Sequence, residues 1–562
     1  MWHARRFDFL CDDAFIALRY ARSWAETGAP VYNPGERVEG YTSFLFTAAV
    51  AALARLGVPP PAAARALGAL GALGLLAASL ALLRALLGRR SWPASAALLA
   101  LLALSAPVAA WSLGGLETSV FAALAVAGLA LGIRNFSTVT TPGSTDEIAT
   151  PGSTDDAPRS LGGGSADEGR RWLSAGLILG LATLARPEGA LFLGGLGAAS
   201  LGLALSERRG ARGPASQERR GARGLAALAL GYGAVVAPFV AWRWGYYGHP
   251  LPNTFYVKAT GDAGELWARG LRYGELAFHE MNPVLIVAGV AGLVMPGASR
   301  SAAAGLWALR IVVASGVLYV LRVGGDFLDL YRFFVPFWPL LLAAALRPLA
   351  ALELALRPRR GPTLAALVAG ALGLLAALGH GVHQRAIGAK ALQIAEPERA
   401  ARHLEPLGWT REFALRWAAL GRSLAEIAGP GDTMAIGAAG AMPYFARIPN
   451  LDLFGLCDSY IAHHGLVIGS RPGHQRFAPH HYLLERNPTF LVLNAEAISF
   501  SPRPLGPDPR WNPLGWVWAE ASTSPGRHGH PRPLYLHFLL RRERTSALRG
   551  TPGLRIAEDN PR

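Results

Sequence analysis

Ten apolar blocks, separated by charged or turn-forming breaks, limit what this chain can fold into more than any other feature. They lie near 66–87, 93–112, 117–133, 172–186, 189–206, 225–243, 283–297, 303–321, 333–350 and 362–380. Their lengths approach the ~20 apolar residues that carry a helix through a ~30 Å hydrocarbon layer. Within lipid, the backbone polar groups of such a block can be satisfied only in a helix or a closed barrel, and runs this long and uninterrupted are helical. The expected fold is therefore a polytopic α-helical membrane protein. Composition agrees: 51% of residues are hydrophobic and 16% charged, against about 25% charged in soluble domains.

The net charge of +16 comes almost wholly from arginine, since Lys258 and Lys390 are the only lysines. Arginine for lysine on this scale, with so much Ala, Gly and Leu, reflects a GC-rich coding sequence, and no nucleic-acid partner is expected. The arginines orient the blocks. Six fall in 207–224 and four in 347–360, which the positive-inside rule assigns to the cytoplasm. Alternation then places 8–42, 244–282, 322–332 and everything after about 381 outside. The apolar stretch Ser43 to Gly57, 15 residues long, is short for a span. It is expected as a helix at or re-entering the external interface, with a short crossing as the alternative.

Three regions follow: an external segment 1–42, a multi-span domain 43–380, and an external soluble α/β domain 381–562. Two low-complexity inserts, 137–169 and 207–224, carry the duplicated strings TPGSTD and ERRGARG and are expected to be disordered cytoplasmic linkers. In the last region apolar runs shorten to strand length; 434–439, 443–446 and 489–493 are expected as strands and 480–486 as a helix. Cys11 and Cys457 do not suggest a disulfide framework, and the first residues lack the apolar core of a signal peptide.

The polar residues that remain need explaining. Asp12 and Asp13 open a helical pattern that continues through Arg19 and is followed by an Asn-Pro-Gly turn with Glu36, Arg37 and Glu39. Paired acids at a helix start are ordinary N-terminal chemistry; a carboxylate at the mouth of a membrane cavity is also a candidate general base. Glu117, Arg186, Glu188, Lys258, Asp326 and Arg332 sit at block ends, where an ionisable side chain either snorkels or serves a cavity. All fall on the same side as the acid pair. Asn253 and Tyr256 near Lys258 are candidate hydrogen-bonding partners of a sugar or phosphate. Histidines 463, 464, 474, 480 and 481 cluster without metal-ligand spacing, so no metal site is expected among them; no cofactor is expected, and dependence on a divalent metal is left open. No phosphate-binding loop, dinucleotide fingerprint or nucleophile elbow occurs.

Taken in order, DDAFIALRYA, NPGERVEGYTSFL, LPNTFYVK, GGDFLDLYRFFVPFWPLL and MAIGAAGAMPYFARIPNLDLFGLCD resemble bacterial relatives of the mycobacterial terminal β-(1→2)-arabinofuranosyltransferase, within the GT-C class of membrane glycosyltransferases. The resemblance spans about residues 10–495. It implies a GT-C-like fold in the bacterial inner membrane, a polyprenyl-phosphate sugar donor, and a glycan or lipid acceptor. It further implies a periplasmic active site with Asp12 or Asp13 as base, Asp12 preferred, and a C-terminal domain that helps hold the acceptor. Lys258, Arg186 and Arg332 are then the expected phosphate-binding cations. Family members have a membrane helix before the acid pair, whereas eleven residues precede Asp12 here, so an upstream span is expected to be missing. A transporter or flippase for a lipid-linked sugar and a non-catalytic glycan-binding membrane protein are the competing readings.

Overall fold

A computed structural model describes residues 2–88, 91–139, 163–209, 215–258, 260–394, 404–493 and 497–557. Each apolar block is helical for most of its length, although 93–112 is broken at Ser105, 283–297 ends as helix at Val294, and the α-helix of 333–350 starts only at Trp338. Among the described residues, five stretches are long and apolar enough to cross a membrane: Pro60–Leu87, Thr118–Phe136, Ala222–Tyr247, Ala302–Arg322 and Trp338–Ala391. Between them run Trp92–Leu104, Gly163–Ala185 and Gly189–Arg209. The helix Pro283–Val294 follows Ala263–Met281 at a bend of 100°. Asn282 makes this corner, at φ 111°, and its side chain accepts from Leu285 N. Leucines 364, 367, 372, 374, 375 and 378 stay exposed along the longest helix, as a lipid-facing surface requires. The protein is a polytopic helical membrane protein with a C-terminal α/β domain.

Several boundaries differ from expectation. Residues 347–360 form helix, not a loop: Arg347–Ala391 is continuous except for a kink at Gly361 (φ 77°) between Pro358 and Pro362. Its Ala, Leu, Glu and Arg are strong helix formers, and charge alone does not end a helix. The same composition makes 207–209 and 215–224 helical, so the second insert is not a disordered linker through its described residues; both TPGSTD copies lie outside the described residues. Ser43 to Gly57 contains the 12-residue helix Phe44–Arg55, about 18 Å long at 1.5 Å per residue and too short to span. The long helix passes position 381 and ends at Ala391.

The C-terminal sheet contains β1 (Met434–Ile436), β2 (Asn450–Asp452), β5 (Phe490–Val492), β6 (Ile498–Ser499), β7 (Trp516–Thr523), β8 (Leu534–Arg541) and β9 (Leu554–Ile556), in the order β2-β1-β5-β8-β7-β9 with β6 also on β8. β1 is parallel to β2 and β5; the rest pair antiparallel. β3 (Leu466–Val467) and β4 (Arg476–Phe477) form a separate hairpin. Helix Leu407–Ile427 buries Trp417, Leu420 and Leu424 against Met434, Ile436, Val517 and Leu540. Helix His480–Arg486 falls where expected, but 443–446 belongs to helix Ala441–Ala446, because four apolar residues carry no period that separates strand from helix.

Candidate active site

The helix Asp12–Thr27 runs along the junction of the two domains. Both acids lie in its first turn, Cys11 precedes it, and Gly28 closes it in the left-handed conformation at φ 81°. Neither acid caps the helix. Arg19 is buried and donates to the carbonyls of Tyr32, Pro443 and Ile448 and to Asn33 Oδ1. Asn33 in turn exchanges bonds with the backbone of Asn450 at 2.9 Å each way, and Glu36 pairs with Arg486 at 2.5 Å. The Asn-Pro-Gly segment is thus a clasp that holds the C-terminal domain against the membrane domain.

Under this clasp lies a cavity of about 910 Å³. Asp12, Asp13, Arg186, Glu188, Arg243, Lys258, Asp326 and Arg332 line it from the membrane domain, and Glu405, Trp417, Gly437, Phe454, Arg471 and His474 from the other side. Residues expected on one external face are therefore gathered around one space.

The two acids have different surroundings. Asp12 Oδ1 accepts from Ala441 N at 2.7 Å, and the backbone of Gly440 presses so close that a Cβ there would stand 2.0 Å from Asp12 O and 2.5 Å from its carboxylate. Burial raises the Asp12 pKa to about 7, opposed by the bond from Ala441. Asp13 makes no hydrogen bond or ion pair among the described residues and faces the cavity. Burial raises its pKa too, offset by the charges of Arg332, Lys258 and Arg471. Lys258 ends the helix Asn253–Lys258 and has no ion-pair partner among the described residues. It is open to the cavity yet enclosed by protein, and this enclosure lowers its pKa, while Asp13 and Asp326 act to raise it.

Four other cavity cations, Arg186, Arg243, Arg332 and Arg471, are held by acids, whereas Arg322 on the cavity wall has no ion-pair partner among the described residues. Arg186 pairs with Glu188 at 2.7 Å and Glu117 at 3.5 Å, and Tyr319 donates to Glu188 at 3.2 Å. Arg332 is clamped by Asp326. The loop between them is strained: Leu330 and Tyr331 sit at φ 57° and 47°, held by Trp111 Nε1 on the Leu330 carbonyl at 3.0 Å and by Tyr331 OH on Glu280 at 2.6 Å. Gly325, at φ 67°, passes where a Cβ would meet the Tyr273 ring at 2.4 Å. Backbone strain of this kind persists only where its surroundings enforce it, and here it aims Asp326 and Arg332 into the cavity.

Four candidates do other work. Asn253 donates to the carbonyls of Gly455, Leu456 and Asp458, stitching the domains together. Tyr256 packs on His463, with ring centres 4.4 Å apart. Arg37 lies over the Tyr246 ring at 4.8 Å, and Glu39 forms a buried pair with Arg243 at 3.0 Å. Sequence reasoning missed Arg471 and Glu405, which pair at 2.5 Å on the cavity wall; nothing in their local sequence marks them. Of the clustered histidines only His474 lines the cavity, and no group of three potential metal ligands occurs among the described residues.

A family described as a domain of unknown function (DUF8728) matches residues 407–534, within the C-terminal domain. No curated protein matches the sequence. Among solved structures, the chain is similar to ArnT from Cupriavidus metallidurans bound to undecaprenyl phosphate, with TM-score 0.45, 14% identity, and 80% of this chain and 82% of that one covered. The apo state of ArnT gives TM-score 0.46 at 12% identity, with 94% of each chain covered. The archaeal oligosaccharyltransferase AglB from Archaeoglobus fulgidus, in complex with an inhibitory peptide and a dolichol-phosphate, gives 0.46 at 12%, with 86% of this chain and 65% of that one covered. At these identities and TM-scores the likenesses assign neither substrate nor activity, and the chemistry has to be read from the cavity's own residues.

Proposed function

We propose that this protein is a membrane glycosyltransferase of GT-C type that moves a sugar, arabinofuranose in the finest form of the reading, from a polyprenyl-phosphate donor to a glycan or lipid acceptor. The observation that carries it is the unpartnered Asp13 carboxylate facing the same enclosed space as Lys258, Arg332, Arg186 and Arg471. In the proposed step the acceptor hydroxyl oxygen bonds to the anomeric carbon as the bond from that carbon to phosphate oxygen breaks. The hydroxyl proton passes to the carboxylate, and the electron pair leaves with the phosphate. A carboxylate suits the first task. Fixed cations suit the second, because in a water-poor cavity they stabilise charge as it develops on phosphate without having to reorganise. Attack opposite the leaving group inverts the anomeric centre. Asp13 fits the base better than Asp12, whose carboxylate is occupied by Ala441 N.

Two observations support the reading: the cavity lies between the membrane domain and a soluble domain large enough to present an acceptor, and the arginine bias of the sequence assigns this face to the periplasm. The test is release of polyprenyl phosphate by the purified protein in nanodiscs given polyprenyl-phosphate pentoses and hexoses with candidate acceptors. Acceptor-dependent release supports the reading. Movement of intact donor across a liposome bilayer without cleavage would establish the transporter instead.

A further inference from the structure

The helix Ala263–Met281 lies at 100° to the apolar helix Pro283–Val294 that follows it, the angle expected of a surface-lying helix if the apolar one enters the bilayer. Its buried face carries Leu266, Gly270, Tyr273 and Ala277. Trp267, Leu271 and Phe278 are exposed and fall within about 40° of one another at 3.6 residues per turn. Glu265, Arg272, Glu275 and His279 occupy another sector. A helix with a protein face, an apolar face and a polar face, in that order, is built to lie in a membrane interface. Val284, Val287, Val290 and Val294 are exposed on the next helix.

At the start of this helix the C-terminal domain brings down the β3–β4 hairpin. Asp262 N donates to Ser470 Oγ at 3.1 Å, and Gln475 Nε2 donates to the Lys258 carbonyl at 3.3 Å. Leu466, Val467 and Ile468, three consecutive aliphatic residues, are 55%, 59% and 53% exposed. Single exposed aliphatics are common, but a contiguous run needs a partner. Phe255, 50% exposed, and Leu251, 40% exposed, add apolar surface on the segment 251–258, whose Lys258 carbonyl accepts from Gln475.

We infer that the β3–β4 hairpin is a membrane-dipping element: Leu466, Val467 and Ile468 sit in the acyl region of the leaflet on the cavity side, level with Trp267 and Leu271. The occupant of this apolar surface is lipid, because the hairpin is bonded at the start of the helix whose exposed face carries Trp267, Leu271 and Phe278, and an amphipathic helix of that kind lies in a membrane interface. Residues 471–475 of the same hairpin line the cavity. Immersion of the hairpin therefore sets the cavity mouth at leaflet level, where a lipid-borne substrate enters sideways. Only this last consequence depends on the transferase reading.

Depth can be measured without activity. Cys11 and Cys457 are both buried, so Val467→Cys in the full chain can be labelled with an environment-sensitive fluorophore in nanodiscs of phosphatidylethanolamine and phosphatidylglycerol, with Glu543→Cys as the aqueous reference. The expected result is blue-shifted emission at 467, quenched severalfold more by nitroxide on the lipid chains than by iodide, and the reverse at 543. Leu466→Cys and Ile468→Cys repeat the measurement should one variant fail to assemble. Iodide quenching at 467 equal to that at 543 overturns the inference. So does a blue shift without lipid quenching that depends on two copies per disc, which would assign the surface to self-association.

Discussion

Asparagine substitution separates the two adjacent acids. In Asp13→Asn the side chain keeps its volume and its place at the cavity wall, but loses the ability to accept a proton. A positioned general base contributes about 10²–10⁴ in rate, which is about 3–5 kcal/mol of barrier at 1.36 kcal/mol per tenfold. In Asp12→Asn the amide oxygen still accepts from Ala441 N, at 2.7 Å in the parent. Changing a charged acceptor for a neutral one costs about 1 kcal/mol, or about fivefold. The expected turnover at saturating donor is therefore about 10²–10⁴ lower for Asp13→Asn and within about tenfold of the parent for Asp12→Asn, with little change in donor KM for either. The assay is the initial rate of polyprenyl phosphate release in nanodiscs between pH 5 and 9. Only the ionised form of Asp13 is a base, and burial raises its pKa. The parent's acid limb is thus displaced upward from the usual carboxylate range, and the limb disappears from the residual activity of Asp13→Asn. An inactive Asp12→Asn beside an active Asp13→Asn would reverse the assignment; full activity in both would refute carboxylate catalysis at this site.

Lys258→Ala removes a cavity cation that has no acid partner among the described residues and is expected to raise donor KM about 10–100-fold, the worth of a charge-assisted bond to phosphate; an unchanged KM in the release assay removes the phosphate role. Gly440→Ala puts a Cβ 2.0 Å from Asp12 O, so the domain junction must shift; limited proteolysis is expected to show faster cleavage between the domains and the rate to fall, with the C-terminal domain still folded. Asp12 is held at a pKa of about 7 against an ordinary value of 3.8. Its contribution to stability is complete below pH 4, is lost progressively up to pH 7, and is constant beyond, a change of at most about 4 kcal/mol. The thermal midpoint of Asp12→Asn should therefore gain on the parent across pH 4–7 and run parallel above; a difference that does not vary with pH contradicts the buried-acid account.

Much of this arrangement is legible in the sequence because topology is coarse. Arginine bias needs only the side on which a block ends, and it was enough to gather Arg186, Glu188, Lys258, Asp326 and Arg332, which the structure brings to one cavity. What it cannot encode is the meeting of two domains. Glu405 and Arg471 reach the cavity only because helix Leu407–Ile427 and the β3–β4 hairpin dock there, and the docking rests on Arg19, Asn33 and Asn253 bonding to backbone carbonyls, contacts that no residue pattern announces. The long strands β7 and β8 went unread for a similar reason. Their inner faces are covered by helix Leu407–Ile427 and their flanks by neighbouring strands, so burial is nearly continuous and the alternation of a half-buried strand is blurred. The acid pair shows the limit most clearly. Successive side chains on a helix point about 100° apart, so of two adjacent acids that both border the cavity, one turns towards the backbone of the C-terminal domain while the other faces only the cavity. Which one goes where is fixed by the rotation of that helix against Gly440 and Ala441, more than 400 residues away. The dipeptide Asp12-Asp13 therefore advertises a site without saying which carboxylate serves it, and the distinction lies in the junction: one acid accepts a backbone N–H and buttresses the interface, leaving the other free to accept a proton.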